Sequence, residues 1–149
     1  MMYLDIYFKI KMSMYRLGKV INMKVYIGIK YHEDYINKIV VDKISSVLKK
    51  KGYETLCIVR DISIKESNKY SPFELMKLTF EKIDICDLVI IDLTEKGVGL
   101  GIEAGYAYAK GIPIITIAER CSDISETLKG ISKEIFFYDN IEDLELLLS

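Results

Sequence analysis

Tryptophan is absent from this chain, and histidine occurs once, as His32, among 149 residues. A single histidine excludes multi-histidine metal sites and leaves any Ser-His-Asp triad with only that imidazole. No GxSxG elbow accompanies it. Cysteine is scarce and odd in number: Cys57, Cys86 and Cys121 lack CxxC spacing, so they read as reduced thiols of a cytoplasmic protein. No apolar run approaches the roughly eighteen residues a membrane span requires. There is no excess of either charge: 21 Lys and Arg face 22 Asp and Glu, for a formal net charge of −1. A nucleic-acid binder would show a basic surplus, so neither nucleic acid nor membrane is expected as a partner. Half the residues are apolar and 29% are charged, the balance of a chain that buries a core.

Residues 1–22 differ from the rest. Asp5, Lys9, Lys11, Arg16 and Lys19 are scattered among Tyr, Ile and Met, with no unbroken apolar stretch for a secretory signal. They are read as an extension preceding a single domain at 23–149, with Met23 the translation start. A short amphipathic arm and a helix packed on the domain are the other readings.

From Met23 the pattern alternates. A strand is predicted at 24–29 and a helix at 33–51, whose Ile36, Ile39, Val40, Ile44, Val47 and Leu48 form one apolar stripe ended by Gly52. A second strand covers 54–59, and 60–70 is a polar loop. Ser71, Pro72 and Glu74 make a capping box with proline at the first helical position, opening a helix to about residue 85. The run 88–92 is a buried parallel strand, and a glycine-rich turn leads into a helix that stops at Gly111. A strand at 113–118, a helix at 122–129, a strand at 135–138 and a helix at 141–148 complete the chain. Five strands alternating with helices imply a three-layer α/β fold. Its sheet is parallel, with flavodoxin-like order 2-1-3-4-5 and helices on both faces. Ligands in such sheets bind beyond the strands' carboxyl ends, at the switch point between the first and third strands. That rule selects Gly28, Ile29 and Lys30 after the first strand, and residues 92–103 after the third.

The second of these segments is the richest in the sequence. Gly97, Gly99 and Gly101 let a backbone approach a ligand, and a helix starts among them. Glu103 then falls in about the first helical turn. There the helix dipole favours a carboxylate by about 0.3–1 kcal/mol and keeps it ionised, as a nucleophile requires. Gly105 and Ala107 are expected to let this helix approach the sheet closely. One reading is purely structural, a tight turn followed by a glutamate with no task. Another is a dinucleotide fingerprint, since Gly99, Gly101 and Ala104 match GxGxxG/A. However, five residues separate Asp92 from Val98, and only about 45 residues follow.

The third reading is a resemblance. Cys86, Asp87, the apolar run to Asp92 and Thr94, then Gly99, Gly101, Glu103, Ala104, Gly105 and Ala107, then Gly111 and Pro113, resemble the nucleoside 2-deoxyribosyltransferase family and its relatives, the 2'-deoxynucleoside 5'-monophosphate N-glycosidases. The resemblance implies that Glu103 is the nucleophile. It would attack the anomeric carbon, displace the base and form a glycosyl-enzyme, which a second base or water then resolves. It implies that Tyr26 is an active-site tyrosine, that Gly28 and Ile29 line the same strand end, and that Gly97, Gly99 and Gly101 surround the sugar and any phosphate; Asp92, at the end of the third strand, is expected to bind substrate as part of the switch-point segment. Ser125 would reach the phosphate in a neighbouring subunit, which implies a homodimer. No cofactor and no metal are implied. The chain departs from the family in two places. Thr79 stands where the family usually has an aspartate, leaving Asp61 or Glu81 as substitutes, and Gly97 stands where the transferase branch has one. Lys30, after the first strand, is placed to meet a phosphate or to do nothing. Two other functions stay open: an NAD- or nucleotide-cleaving hydrolase of the TIR-like group, and a nucleotide-binding module with weak catalysis.

Overall fold

The computed structural model describes residues 22–34, 36–62, 66 and 68–147, together with Lys9, Ser13, Met14 and Leu17. The readings made for residues 1–21 lie almost wholly outside these. Five parallel strands form one sheet in the order β2-β1-β3-β4-β5, as the alternation predicts. They are β1 (Met23–Gly28), β2 (Tyr53–Leu56), β3 (Leu88–Asp92), β4 (Ile114–Glu119) and β5 (Glu134–Tyr138). The helices are α1 (Ile36–Lys50), α2 (Ile58–Asp61), α3 (Pro72–Asp84), α4 (Val98–Ala109), α5 (Glu126–Ile131) and α6 (Leu144–Leu147). A 3-10 turn at Ile141–Asp143 precedes α6. Among the described residues no helix is long and apolar enough to cross a membrane.

The strands' two-residue period divides the core. Val25, Ile27, Leu88, Ile90, Ile115 and Ile117 point to the face covered by α1 and α6. Tyr26, Val89, Ile91, Ile114 and Ala118 point to the face covered by α3, α4 and α5. β3 is buried at every position because both faces are covered. Each such aliphatic side chain contributes about 1.5–3 kcal/mol by leaving water.

Local chemistry fixes where several helices begin and end. Ser71 Oγ accepts from the Glu74 N–H at 3.2 Å while Glu74 Oε2 accepts from the Ser71 N–H at 2.8 Å. With Pro72 behind it, this box sets where α3 begins, as the sequence predicts. Gly52 and Gly111 adopt positive φ, 84° and 70°, just past α1 and α4, the conformation that favours glycine at a helix stop.

Three expectations need correcting. The buried stripe of α1 is Asn37, Val41, Ile44, Val47 and Leu48, whereas Ile36 and Ile39 are exposed. The register follows Asn37, whose amide donates to the Lys30 carbonyl at 2.7 Å and turns that position inward. The second strand ends at Leu56 rather than 59. The Asp61 carboxylate accepts the Cys57 N–H at 2.9 Å and the Asp61 N–H bonds the Cys57 carbonyl at 2.8 Å, so the chain curls into α2. On α4 it is Ala104 and Ala107 that meet the sheet, while Gly105 is exposed and its missing side chain faces open space.

Candidate active site

A cavity of about 490 Å³ opens at the carboxyl ends of β1 and β3, the switch point of the sheet. Its volume is within the range of small-ligand sites. Ile29, Lys30 and Tyr31 line it from the segment after β1, and Ile58, Val59 and Ile62 from α2 and its end. α3 contributes Leu75, Met76 and Thr79, and α4 with its cap contributes Gly97, Gly99, Leu100 and Glu103. Glu103 is the one carboxylate among these lining residues.

Glu103 is the sixth residue of α4, in its second turn, and the first turn holds no acidic residue. The expectation of a dipole-stabilised carboxylate therefore fails. The dipole acts over the first turn and contributes less than one pKa unit. Burial is the larger effect and pushes the Glu103 carboxyl up to about 7, opposed only by the Tyr26 hydroxyl that hydrogen-bonds its charged form. Glu103 Oε2 is buried and has no hydrogen-bond partner. An unpaired buried acceptor costs about 1–3 kcal/mol, a cost that natural cores seldom tolerate without a task.

Tyr26 and Gly28 share the sheet face beneath α4. Tyr26 is 1% exposed and is not on the cavity wall. Burial, and then the negative charge of Glu103, hold its phenol well above the ordinary tyrosine range, so it stays a donor. Tyr26, expected to be catalytic, thus lies behind the cavity wall and meets the site through its hydrogen bond to Glu103. Tyr26→Phe removes the group that favours the Glu103 carboxylate. The acid limb of the kcat/KM–pH profile is expected to move upward by about one pKa unit, the worth of one hydrogen bond. An unmoved limb would show that Tyr26 has only a packing role.

Gly28 leaves the room that Glu103 occupies. A methyl built on it would sit 2.6 Å from Glu103 Oε2 and 2.7 Å from Ile91 Cδ1. Gly28 thus borders the Glu103 carboxylate and is not on the cavity wall.

In sequence, the chain is 26% identical over 117 residues to a putative 2'-deoxynucleoside 5'-phosphate N-hydrolase 1 of Thermofilum pendens, covering 76% of this chain and 82% of that protein. The chain resembles the nucleoside 2-deoxyribosyltransferase family in both sequence and fold. Among solved structures, the CMP N-glycosidase BcmB of Clostridium botulinum superposes with a TM-score of 0.59 at 22% identity, over 84% of this chain and 96% of that one. A 2-deoxyribosyltransferase of Bacillus psychrosaccharolyticus superposes with a TM-score of 0.64 at 17% identity, over 82% and 90%. No family model matches the chain.

Of the residues that the deoxyribosyltransferase resemblance singles out, Glu103, Ile29, Gly97 and Gly99 line the cavity, and Gly28 and Tyr26 lie behind Glu103. Gly101, Asp92 and Ser125 lie off its wall. Gly97 is the cap of α4 and Gly99 and Gly101 are already helical, so the glycines form no left-handed turn. Gly101 is exposed and off the cavity wall. Asp92 points to the opposite sheet face, where its Oδ2 accepts from the Tyr138 hydroxyl at 2.8 Å and its Oδ1 from the Thr94 N–H at 2.9 Å. It pins the loop between β3 and α4 rather than meeting a ligand in this cavity. Ser125 caps α5, its Oγ 3.4 Å from the Leu128 N–H, and lies off the cavity wall of its own chain.

Thr79 does not replace an acid. It is 2% exposed and its hydroxyl donates to the Leu75 carbonyl at 2.8 Å. Neither proposed substitute reaches the cavity. Asp61 is occupied by Arg60 at 2.6 Å and the Cys57 N–H, and Glu81 lies on the surface 3.9 Å from Lys77. Lys30 lines the cavity with its Nζ 3.5 Å from Glu95, and His32 Nε2 lies 2.9 Å from the same carboxylate. Cys57 and Cys86 are buried, and burial pushes both thiols up to about 12, which excludes them as thiolate nucleophiles. Among the described residues no group of three His, Cys, Asp or Glu side chains forms a metal site.

The sequence reading missed the apolar wall of Ile58, Val59, Ile62, Leu75 and Met76. Its one signal was the pair Leu75 and Thr79, four apart and so on one face of a helix already predicted to start at Ser71.

Proposed function

We propose that this chain cleaves or transfers the N-glycosidic bond of a nucleoside or its 5'-monophosphate, with Glu103 as nucleophile. The observation that carries this is the buried, unpartnered Oε2 of Glu103, the one carboxylate among the described residues lining a cavity at the switch point. The names of the relatives in sequence and fold support the reaction class. Glu103 attacks the anomeric carbon as its carboxylate, the base leaves, and water or a second base opens the glycosyl ester. Lys30 sits at the cavity wall, where its ammonium attracts a 5'-phosphate. Gly99 lines the same cavity. Ser125 would contribute to a phosphate site only in a second copy of the chain, so the proposal includes a homodimer.

Chromatography of the protein incubated with nucleosides and their 5'-monophosphates, with and without a second free base, tests the reading. A new nucleoside formed only when the second base is present identifies a transferase, and free base formed without it identifies a hydrolase. A nucleophilic carboxylate must be ionised, so kcat/KM is expected to rise with pH and level off above about 7, where burial places the Glu103 carboxyl. No product from any substrate would overturn the proposal. One observation favours a second reading: among the described residues lining the cavity there is no second acid, which suits a module that binds nucleotides without turnover. That version predicts saturable binding by calorimetry and no released base.

A further inference from the structure

Lys30 stands between two cavities, and its ammonium already has a partner. It lines the larger cavity and also a neighbouring one of about 90 Å³ that Glu95 helps to wall. Its Nζ lies 3.5 Å from Glu95 Oε2. His32, the chain's one histidine, sets Nε2 2.9 Å from both oxygens of the same carboxylate. One carboxylate thus serves two basic partners, and only the imidazole ordinarily changes charge between pH 5 and 8. The hydrogen bond from His32 is the largest cause holding the Glu95 carboxyl below its ordinary range, with slight burial opposing and Lys30 assisting. With a neutral imidazole the charges of the three sum to zero. With an imidazolium they leave one net positive charge. The other charged or titratable groups around them are Tyr31 and Glu103 on the larger cavity, and Asp92, Glu119 and Tyr138 on the smaller. Glu33 and Asp34 adjoin His32 in the chain, and Lys96, beside Glu95, pairs with Asp123.

We propose that His32 and Glu95 set the preference of this site for 5'-monophosphates over nucleosides, by deciding whether Lys30 is free to meet the phosphate. This rests on the reading that the chain cleaves an N-glycosidic bond and that Lys30 attracts the 5'-phosphate. When His32 is protonated it satisfies Glu95, and the Lys30 charge turns to the phosphate. When His32 is neutral, Lys30 is the cation left to Glu95, and the phosphate competes with the carboxylate for it. His32 and Glu95 act through Lys30 and are positioning residues. The ion pair is exposed, so the competition it offers is modest. A pair of this kind alters an equilibrium by up to about fivefold.

The test takes the nucleoside cleaved fastest and its 5'-monophosphate, and follows base release by chromatography from about pH 5.5 to about pH 8.5. The quantity read is the ratio of the two kcat/KM values, monophosphate over nucleoside. Both substrates need the Glu103 carboxylate, so its ionisation cancels in the ratio. The phosphate's own ionisation, at about pH 6, is common to every protein compared. Glutamine, like a neutral imidazole, donates to Glu95 without charge. At the acid end the ratio for the unaltered protein should therefore exceed that for His32→Gln by about fivefold, and the two should meet at the alkaline end. Glu95→Gln should raise the ratio about fivefold at the alkaline end, where Lys30 is otherwise held. Each change should lie in KM for the monophosphate, whereas a packing role would move both substrates together. Ratios within about twofold of one another for all three proteins at both ends would overturn the proposal and leave the N-glycosidase reading intact. So would a lower ratio in Glu95→Gln, since Glu95 would then be aiming Lys30 at the phosphate. No base release from either substrate would overturn both.

Discussion

Glu103→Gln is expected to abolish base release, lowering kcat/KM by roughly 10⁴-fold or more, while the fold persists and becomes more stable at alkaline pH. The activity half follows from losing the proposed nucleophile, a carboxylate on the cavity wall. The stability half follows from linkage. Burial raises the Glu103 carboxyl from 4.5 to about 7. Between those values the folded protein still holds a proton that the unfolded chain has released. The contribution of this group to stability is therefore fully present below about 4.5, declines as pH rises, and is gone above about 7. A shift of this size corresponds to about 3 kcal/mol. Glutamine stays neutral throughout, so urea unfolding of the two proteins should give similar stabilities near pH 4 and a widening advantage for the variant toward pH 8. Turnover close to that of the parent protein would overturn the assignment of Glu103. A stability difference that does not change with pH would show that its carboxyl is not held neutral by burial.

Much of this arrangement was legible from residue order. The alternation of apolar runs and periodic stretches gave five parallel strands in the observed order, because continuous apolar strands such as 88–92 belong only where both faces are covered. The capping box at Ser71 and the glycines at 52 and 111 marked helix ends for local reasons that the tertiary structure left alone. The switch-point rule pointed to the end of the sheet where the cavity opens. The misplacements came from features that local pattern does not encode. Asp92 was read as ligand-facing because it ends β3, yet the strand's two-residue period already sets it opposite Ile91, and Ile91 faces α4. Ile58 and Val59 read as a strand continuing, and only the Asp61 carboxylate reaching back to Cys57 turns them over the cavity. The ionisation of Glu103 was misjudged because burial, a property of the assembled fold, outweighs the helix dipole, the one contribution visible in the sequence.

Gly28→Ala is expected to cost both activity and stability, and the combination separates seating a nucleophile from mere packing. The backbone itself would accept alanine, since Gly28 is not among the residues with positive φ. The conflict is steric. The new methyl would lie 2.6 Å from Glu103 Oε2 and 2.7 Å from Ile91 Cδ1, with Leu100 Cδ2 at 3.5 Å. Ile91 is fully buried and has nowhere to go, so the carboxylate is the group that yields. Overpacking of this kind costs about 1–3 kcal/mol. A reacting atom displaced by about 1 Å loses roughly 10²-fold in rate. The expected result is a fall of about that size in kcat, with KM changed less because the cavity's apolar walls are untouched. Gly99→Ala provides the contrast. A methyl there meets no protein atom within 4 Å, and the residue lies inside α4, so unfolding should show a gain of up to about 1 kcal/mol. Any penalty at position 99 should appear in KM, as lost room for substrate. If alanine at position 28 lowered stability but left kcat unchanged, the displaced carboxylate would not be the reacting group, and Glu103 would lose its claim to the chemistry.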